Sequence, residues 1–211
     1  MQDLKQLYQA VLEGNAPAAK SITEKALAEG VDPQQLVTEY MIPAMDEAGR
    51  RFECNDYFVP ELLIAARAMK ASLELIRPLL AARGAEPVGR VVIGTVKGDL
   101  HDIGKNLVAA MLEGGGFEVN DLGVDVPPEK FVAMAQEKRA SLVALSALLT
   151  TTMPSMRATL EAFKQAGIRD KVKVMIGGAP VTQKYADEIG ADGYGENAAS
   201  AVALARKLVA A

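Results

Sequence analysis

The chain has 211 residues, half of them apolar and 24% charged, with a net charge of −4. Such a chain is ordinary for a soluble protein of one large or two small domains; its acidic balance argues against nucleic-acid binding as the main task, and no apolar run approaches the roughly 20 residues of a membrane span. The opening stretch MQDLKQLYQAVLEGN lacks the basic-then-apolar pattern of an export signal, so a cytoplasmic protein is expected. The single cysteine, Cys54, cannot form an internal disulfide and is read as a structural or surface thiol without chemistry.

Residues 1 to 86 read as a helical domain. DLKQLYQAVLEG spaces Leu4, Leu7, Tyr8, Val11 and Leu12 at helical intervals. NAPAAKSITEKALAEG has Asn15 as a cap, Pro17 in the first turn and Gly30 at its close. DPQQLVTEYMIPAMDEAGRRF begins with Asp32 before Pro33, and Pro43 inside it should kink the helix or end its first part. VPELLIAARAMKASLELIRPLL is the longest apolar segment. Four helices with short connections predict an antiparallel bundle packed by Leu and Met.

AARGAEPVG, residues 81 to 89, is small and punctuated and reads as a linker. From 87 to 211 the rhythm changes. RVVIGTV (90–96), FEVNDLG (117–123), SLVALSAL (141–148), KVKVMIGG (171–178) and ADGYG (191–195) are predicted strands, each followed by a predicted helix. Five strands alternating with helices, the strands continuously apolar, predict an α/β domain with a doubly wound, five-stranded parallel sheet. Ligands of such sheets bind beyond the carboxyl ends of the strands.

The chemistry collects at those ends. The only histidine, His101, follows the first strand in KGDLHDIG, two residues after Asp99. A carboxylate on one imidazole nitrogen fixes the tautomer and leaves the other nitrogen for a metal. An ordinary surface histidine is the bland alternative, and the binding edge and the Asp neighbour weigh against it. Zinc would need three or four protein ligands, which one His, a distant Cys and scattered carboxylates do not supply. A metal on His101 must take its other ligands from a cofactor, and a macrocycle with four in-plane nitrogens fits that count. The third strand ends in hydroxyls (Ser146, Thr150, Thr151, Thr152) and the fourth in Gly177 and Gly178, where something bulky can approach the backbone. Each of these alone is equally a cap or a turn.

Taken together, DLHDIG at 99–104, SAL at 146–148 and GG at 177–178 resemble the three-part Asp-x-His-x-x-Gly, Ser-x-Leu, Gly-Gly signature of base-off/His-on cobalamin-binding domains, in the right order at three strand ends. RRFECNDYFVPELLIAARAMK resembles the helical cap that precedes this domain in cobalamin-dependent methionine synthase. The whole chain is similar to the small corrinoid proteins of methanogens and acetogens. The resemblance implies a four-helix-bundle cap followed by a Rossmann-like (flavodoxin-like) cobalamin-binding domain. It implies His101 as the lower axial ligand to cobalt, Asp99 on the other ring nitrogen and Thr152 as the third member, where methionine synthases often carry Ser. Gly98, Leu100, Asp102 and Ile103 would contact the cofactor around His101. Gly104, Ser146, Leu148, Thr150, Gly177 and Gly178 would line the slot for the displaced nucleotide tail, with Tyr194 and Ala198 touching it. Phe52 and Val59 match the apolar residues that shield the upper face; the alternative for both is plain bundle core.

The implied function is a methyl carrier on cobalamin (methylcobalamin when loaded). A substrate-specific methyltransferase would load it from a methylamine, methanol, a methoxylated aromatic or a betaine. An acceptor methyltransferase would unload it to a thiol or to tetrahydrofolate, with a reductive activase as a further partner. The carrier is not expected to turn over free substrate alone, and no nucleic acid or membrane is expected as a partner. A cobalamin-dependent sensor is the alternative, but this chain shows no added DNA-binding module, and it has no Trp for the upper face of a light-sensing type. A receiver domain would need a phospho-accepting Asp after the third strand, where SALLTTT has none. A cobalamin mutase subunit would need its substrate barrel on a separate chain.

Overall fold

The computed structural model describes residues 4–84 and 86–210. These described residues form two compact units, one of those up to Pro87 with the short stretch Glu113–Gly116, the other of Val88–Leu112 with Phe117 to Ala210.

The first unit is all-helical. Helix α1 (Lys5–Leu12) buries Leu7, Ala10, Val11 and Leu12. In α2 (Ala16–Ala28) the Asn15 side chain accepts a hydrogen bond from the Ala18 N–H at 3.1 Å, satisfying one of the orphan donors of the first turn. The Pro33 segment is one continuous path: α3 (Pro33–Gln35), a π-helical stretch over Leu36–Met41, then α4 (Ile42–Glu53). The disruption expected at Pro43 takes this form because proline has no N–H to give and its ring crowds the carbonyl one turn back. The wider turn, with the Ile42 N–H bonded to the Val37 carbonyl, absorbs the mismatch without ending the helix. Helix α5 (Val59–Ala82) completes the unit. Leu7, Leu36, Met41, Met45, Leu62, Met69 and Ile76 fill the core, so leucine and methionine side chains do most of the packing.

The second unit alternates β1 (Arg90–Thr95), α6 (Ile103–Gly114), β2 (Glu118–Asp121), α7 (Pro128–Glu137), β3 (Leu142–Ser146), α8 (Pro154–Gln165), β4 (Lys173–Gly177), α9 (Gln183–Ile189), β5 (Gly193–Gly195) and α10 (Ala198–Val209). The strands are all parallel, in the order β2-β1-β3-β4-β5. This is the flavodoxin-like order, and the chain direction across the sheet reverses between β1 and β3. The central strands are apolar on both faces because helices cover both. Val92, Val143, Leu145, Val174 and Ile176 are buried in a core with Phe131, Leu160 and Phe163.

Several strands stop short of their predicted ends. β3 ends at Ser146 because the Leu148 N–H leaves the ladder for a side-chain carboxylate. β4 ends where Gly178 takes φ +127°. β2 ends before Gly123, at φ +83°, whose N–H bonds the Asp121 carboxylate. Register sets the ends of four strands in one row: Thr95 beside Ser146, Ser146 beside Gly177, and Gly177 beside Gly195.

Candidate functional site

The row Thr95–Ser146–Gly177–Gly195 is the carboxyl edge, and the reversal between β1 and β3 opens it beside the loop 96–102. Asp99 is wholly buried in that loop. Its Oδ1 lies 2.8 Å from His101 Nδ1 and accepts the His101 backbone N–H at 3.1 Å. Its Oδ2 accepts the Leu148 N–H at 2.8 Å and the Thr152 hydroxyl at 2.7 Å. The Thr95 hydroxyl donates to the His101 carbonyl at 2.8 Å. A turn after β1 and a turn after β3, 49 residues away in sequence, are thereby joined through one carboxylate.

Burial pushes the Asp99 carboxyl toward the neutral form, but the Thr152 hydroxyl, the Leu148 N–H and the two His101 donors outweigh it and hold the group well below the usual carboxylate range. The sign follows: its stabilisation is complete above the ordinary carboxylate pKa and is lost as pH falls through the lower native value. Asp99→Asn removes the charge and turns an NH2 donor toward groups that are themselves donors. The substitution is expected to lower the unfolding free energy by about 2 kcal/mol at neutral pH, and the gap should narrow below about pH 4. Urea titrations of both proteins at a series of pH values measure it; a gap that does not depend on pH would contradict the assignment.

With Nδ1 held by Asp99, Nε2 is the nitrogen left for a ligand, on a side chain that is 51% exposed. Around it the edge presents apolar side chains to solvent: Leu100 is 71% and Ile103 81% exposed, and Leu148 and Leu149 are also exposed. Asp102, Gly98 and Gly104 are exposed in the same loop and at the start of α6. Among the described residues no group of three or more His, Cys, Asp or Glu could hold a metal ion. A metal on His101 therefore needs its remaining ligands from elsewhere.

The remaining expected residues divide. Ser146, Gly177, Gly178 and Tyr194 are half-buried at the sheet edge, Ala198 is buried at the start of α10, and Thr150 is exposed in the turn before α8. The neighbour at the two glycines is the chain's own backbone: a Cβ on Gly178 would stand 1.9 Å from the Ala147 carbonyl oxygen, and one on Gly177 would stand 3.0 Å from that of Gly195. At Gly104 a Cβ would meet nothing within 4 Å. Phe52 is half-buried near the end of α4, and Val59 is exposed as the first residue of α5, both in the helical unit.

Three parts of the site are not legible as site residues in the sequence. Thr95 reads there only as strand. Lys105, its side chain 2% exposed, is buried in a pair with Asp121 at the end of β2 and bonds Asn106 at 2.6 Å. Asp125 reaches the loop from GVDVPP, where an Asp just ahead of two prolines was the available turn signal.

Residues 89–203 match a B12 binding domain, and residues 3–77 match a second model of that description. The chain is 46% identical over 98% of its length to the dimethylamine corrinoid protein 1 of Methanosarcina acetivorans, covering 97% of that protein. It is 46% identical over 95% of its length to the trimethylamine corrinoid protein 1 of the same organism, covering 94% of it. Among solved structures it is similar to a chain of the methanol:cobalamin methyltransferase complex MtaBC from Methanosarcina barkeri, with TM-score 0.85, 31% identity, and coverage of 97% of this chain and 78% of that one.

Proposed function

Because this chain belongs to the B12-binding family over both of its units, we propose that it carries a methyl group on a corrinoid between a methyltransferase that loads it and one that unloads it. The observation that carries this reading is the buried Asp99 holding Nδ1 of a half-exposed His101. The residues fit the group: one histidine with no protein co-ligands among the described residues suits a metal that would bring its other ligands with it, and the exposed Leu100, Ile103, Leu148 and Leu149 offer an apolar bed for a broad, flat ring. When bound, the corrinoid supplies a cobalt that accepts and gives up methyl groups, and the protein tunes it.

The chain's own part is positioning. Asp99 holds the His101 ring in one tautomer and orientation, and Leu148 and Thr152 hold Asp99. We assign Gly98, Asp102 and Gly104 to contacts beside His101. Ser146, Thr150, Gly177, Gly178, Tyr194 and Ala198 are assigned to the cofactor's nucleotide tail, and Phe52 and Val59 to cover for its reactive face. We take the donor to be a methylamine, in keeping with the relatives named for dimethylamine and trimethylamine. A loading methyltransferase as partner is supported by the likeness to a chain of MtaBC, itself a methyltransferase complex; an acceptor methyltransferase, a reductive activase and a cytoplasmic location complete the proposal. No helix among the described residues is long and apolar enough to cross a membrane. Nothing in the comparisons favours a sensor.

The test is transfer of label. Protein loaded with hydroxocobalamin and reduced is mixed with a dimethylamine or trimethylamine methyltransferase and isotopically labelled amine. About one protein-bound methyl per chain is expected, with none when the methyltransferase is left out. A protein that binds no cobalamin ends this reading.

A further inference from the structure

We propose that Asp125 is a positioning residue for His101, acting through the backbone of Gly98 and Asp99; the proposal rests on the corrinoid reading above. The segment 96–102 belongs to no helix or strand beyond the single bridge at Val96. The Thr95 hydroxyl holds its His101 carbonyl and the Ser155 hydroxyl its Lys97 carbonyl, and its own side-chain anchor is the Asp99 carboxylate, which is correctly aimed only if the backbone carrying it is fixed. Asp125, from the loop between β2 and α7, supplies that fixing in both directions. Its carboxylate accepts the Gly98 N–H at 2.7 Å, and its own N–H donates to the Asp99 carbonyl at 2.9 Å. The two bonds grip consecutive residues and so set the direction in which the Asp99 side chain leaves the chain.

The grip is itself anchored. The next residue, Val126, donates to the Thr95 carbonyl at 3.0 Å and bridges Val96, so residue 125 is tied to the end of β1. Pro127 and Pro128 follow, and a residue before proline is held extended. Asp125 sits at φ +51°, a left-handed conformation that Asp and Asn adopt more readily than other non-glycine residues. Those two residues alone combine that conformation with a short side chain that can accept a hydrogen bond locally. The side chain is exposed, so its loss opens no hole in the core.

The experiment uses the full chain with Asp125→Ala, Asp125→Gly and Asp125→Asn, each loaded with hydroxocobalamin and reduced to cobalt(II). Two readouts are the EPR hyperfine splitting from a protein nitrogen and the affinity for hydroxocobalamin; thermal unfolding of the cofactor-free proteins is the folding control. Ala and Gly are expected to lose part of the nitrogen-coordinated population and to bind about 3- to 10-fold more weakly, with unfolding midpoints within about 4 °C of wild type. Gly matters because it relieves the left-handed strain but cannot accept the bond. Asn keeps the acceptor and should restore both readouts. Wild-type spectra and affinity in Asp125→Ala would overturn the proposal and leave the corrinoid reading standing, and so would an Asn variant no better than Gly. A wild-type protein without the protein-nitrogen signal would overturn the assignment of His101 itself, and this proposal with it. Should Asp125→Ala fail to fold, the contrast between Asn and Gly decides.

Discussion

His101→Ala should abolish the protein-nitrogen hyperfine signal of the cobalt(II) form and weaken hydroxocobalamin binding at least about tenfold, while leaving the fold nearly untouched. The two effects separate because of where the ring sits. It is half exposed, and its main bond is to Asp99, which keeps the His101 backbone N–H, the Leu148 N–H and the Thr152 hydroxyl after the ring is gone. One lost partner on a buried carboxylate that retains three costs about 1 kcal/mol. Urea unfolding of the cofactor-free variant beside its cobalt(II) EPR spectrum gives both numbers. A variant that binds the cofactor like wild type and keeps the nitrogen signal would show that the ligand is something else. One that also unfolds would show the histidine to be structural.

Gly178→Ala is expected to be the most damaging single-methyl addition in the second unit, lowering the unfolding free energy by about 3–5 kcal/mol. The φ of +127° is one that L side chains rarely adopt, and the new methyl carbon would stand 1.9 Å from the Ala147 carbonyl oxygen. Neither atom is at the end of a flexible side chain, so β3 and β4 would have to separate at their carboxyl ends. For a chain of this length a loss of that size lowers the unfolding midpoint by about 10 °C. Gly104→Ala is the contrast: a Cβ there meets nothing within 4 Å, so stability should hold within about 0.5 kcal/mol. Any loss of cobalamin affinity in that variant then reports on the ligand alone. Near-wild-type stability of Gly178→Ala would contradict the close approach of the two strands.

These two glycines show what kind of information a motif carries. Gly104 and Gly178 are equally visible in the sequence, and both belong to one recognisable signature. The sequence cannot say that one glycine is required by the backbone beside it and that the other faces open space. That distinction depends on Ala147, 31 positions away in the chain and adjacent only through the register of β3 on β4.

The sequence by itself determined the architecture. Helical spacing before residue 86 and apolar runs between helices after it leave few folds open, because each pattern can bury its apolar side in one way only. It also placed Asp99, His101, Ser146 and Gly177 at strand ends, since strand ends in a parallel sheet are read directly from where the apolar runs stop. The tertiary structure alone decided which groups meet there. Thr152 and the Leu148 N–H converge on Asp99 because strands β1 and β3 are neighbours. Lys105 is buried against Asp121 and Asp125 grips Gly98 because β2 lies on the other side of β1. Pairing between distant segments is set by sheet order and register, and no local pattern of residues encodes a neighbour that lies tens of positions away.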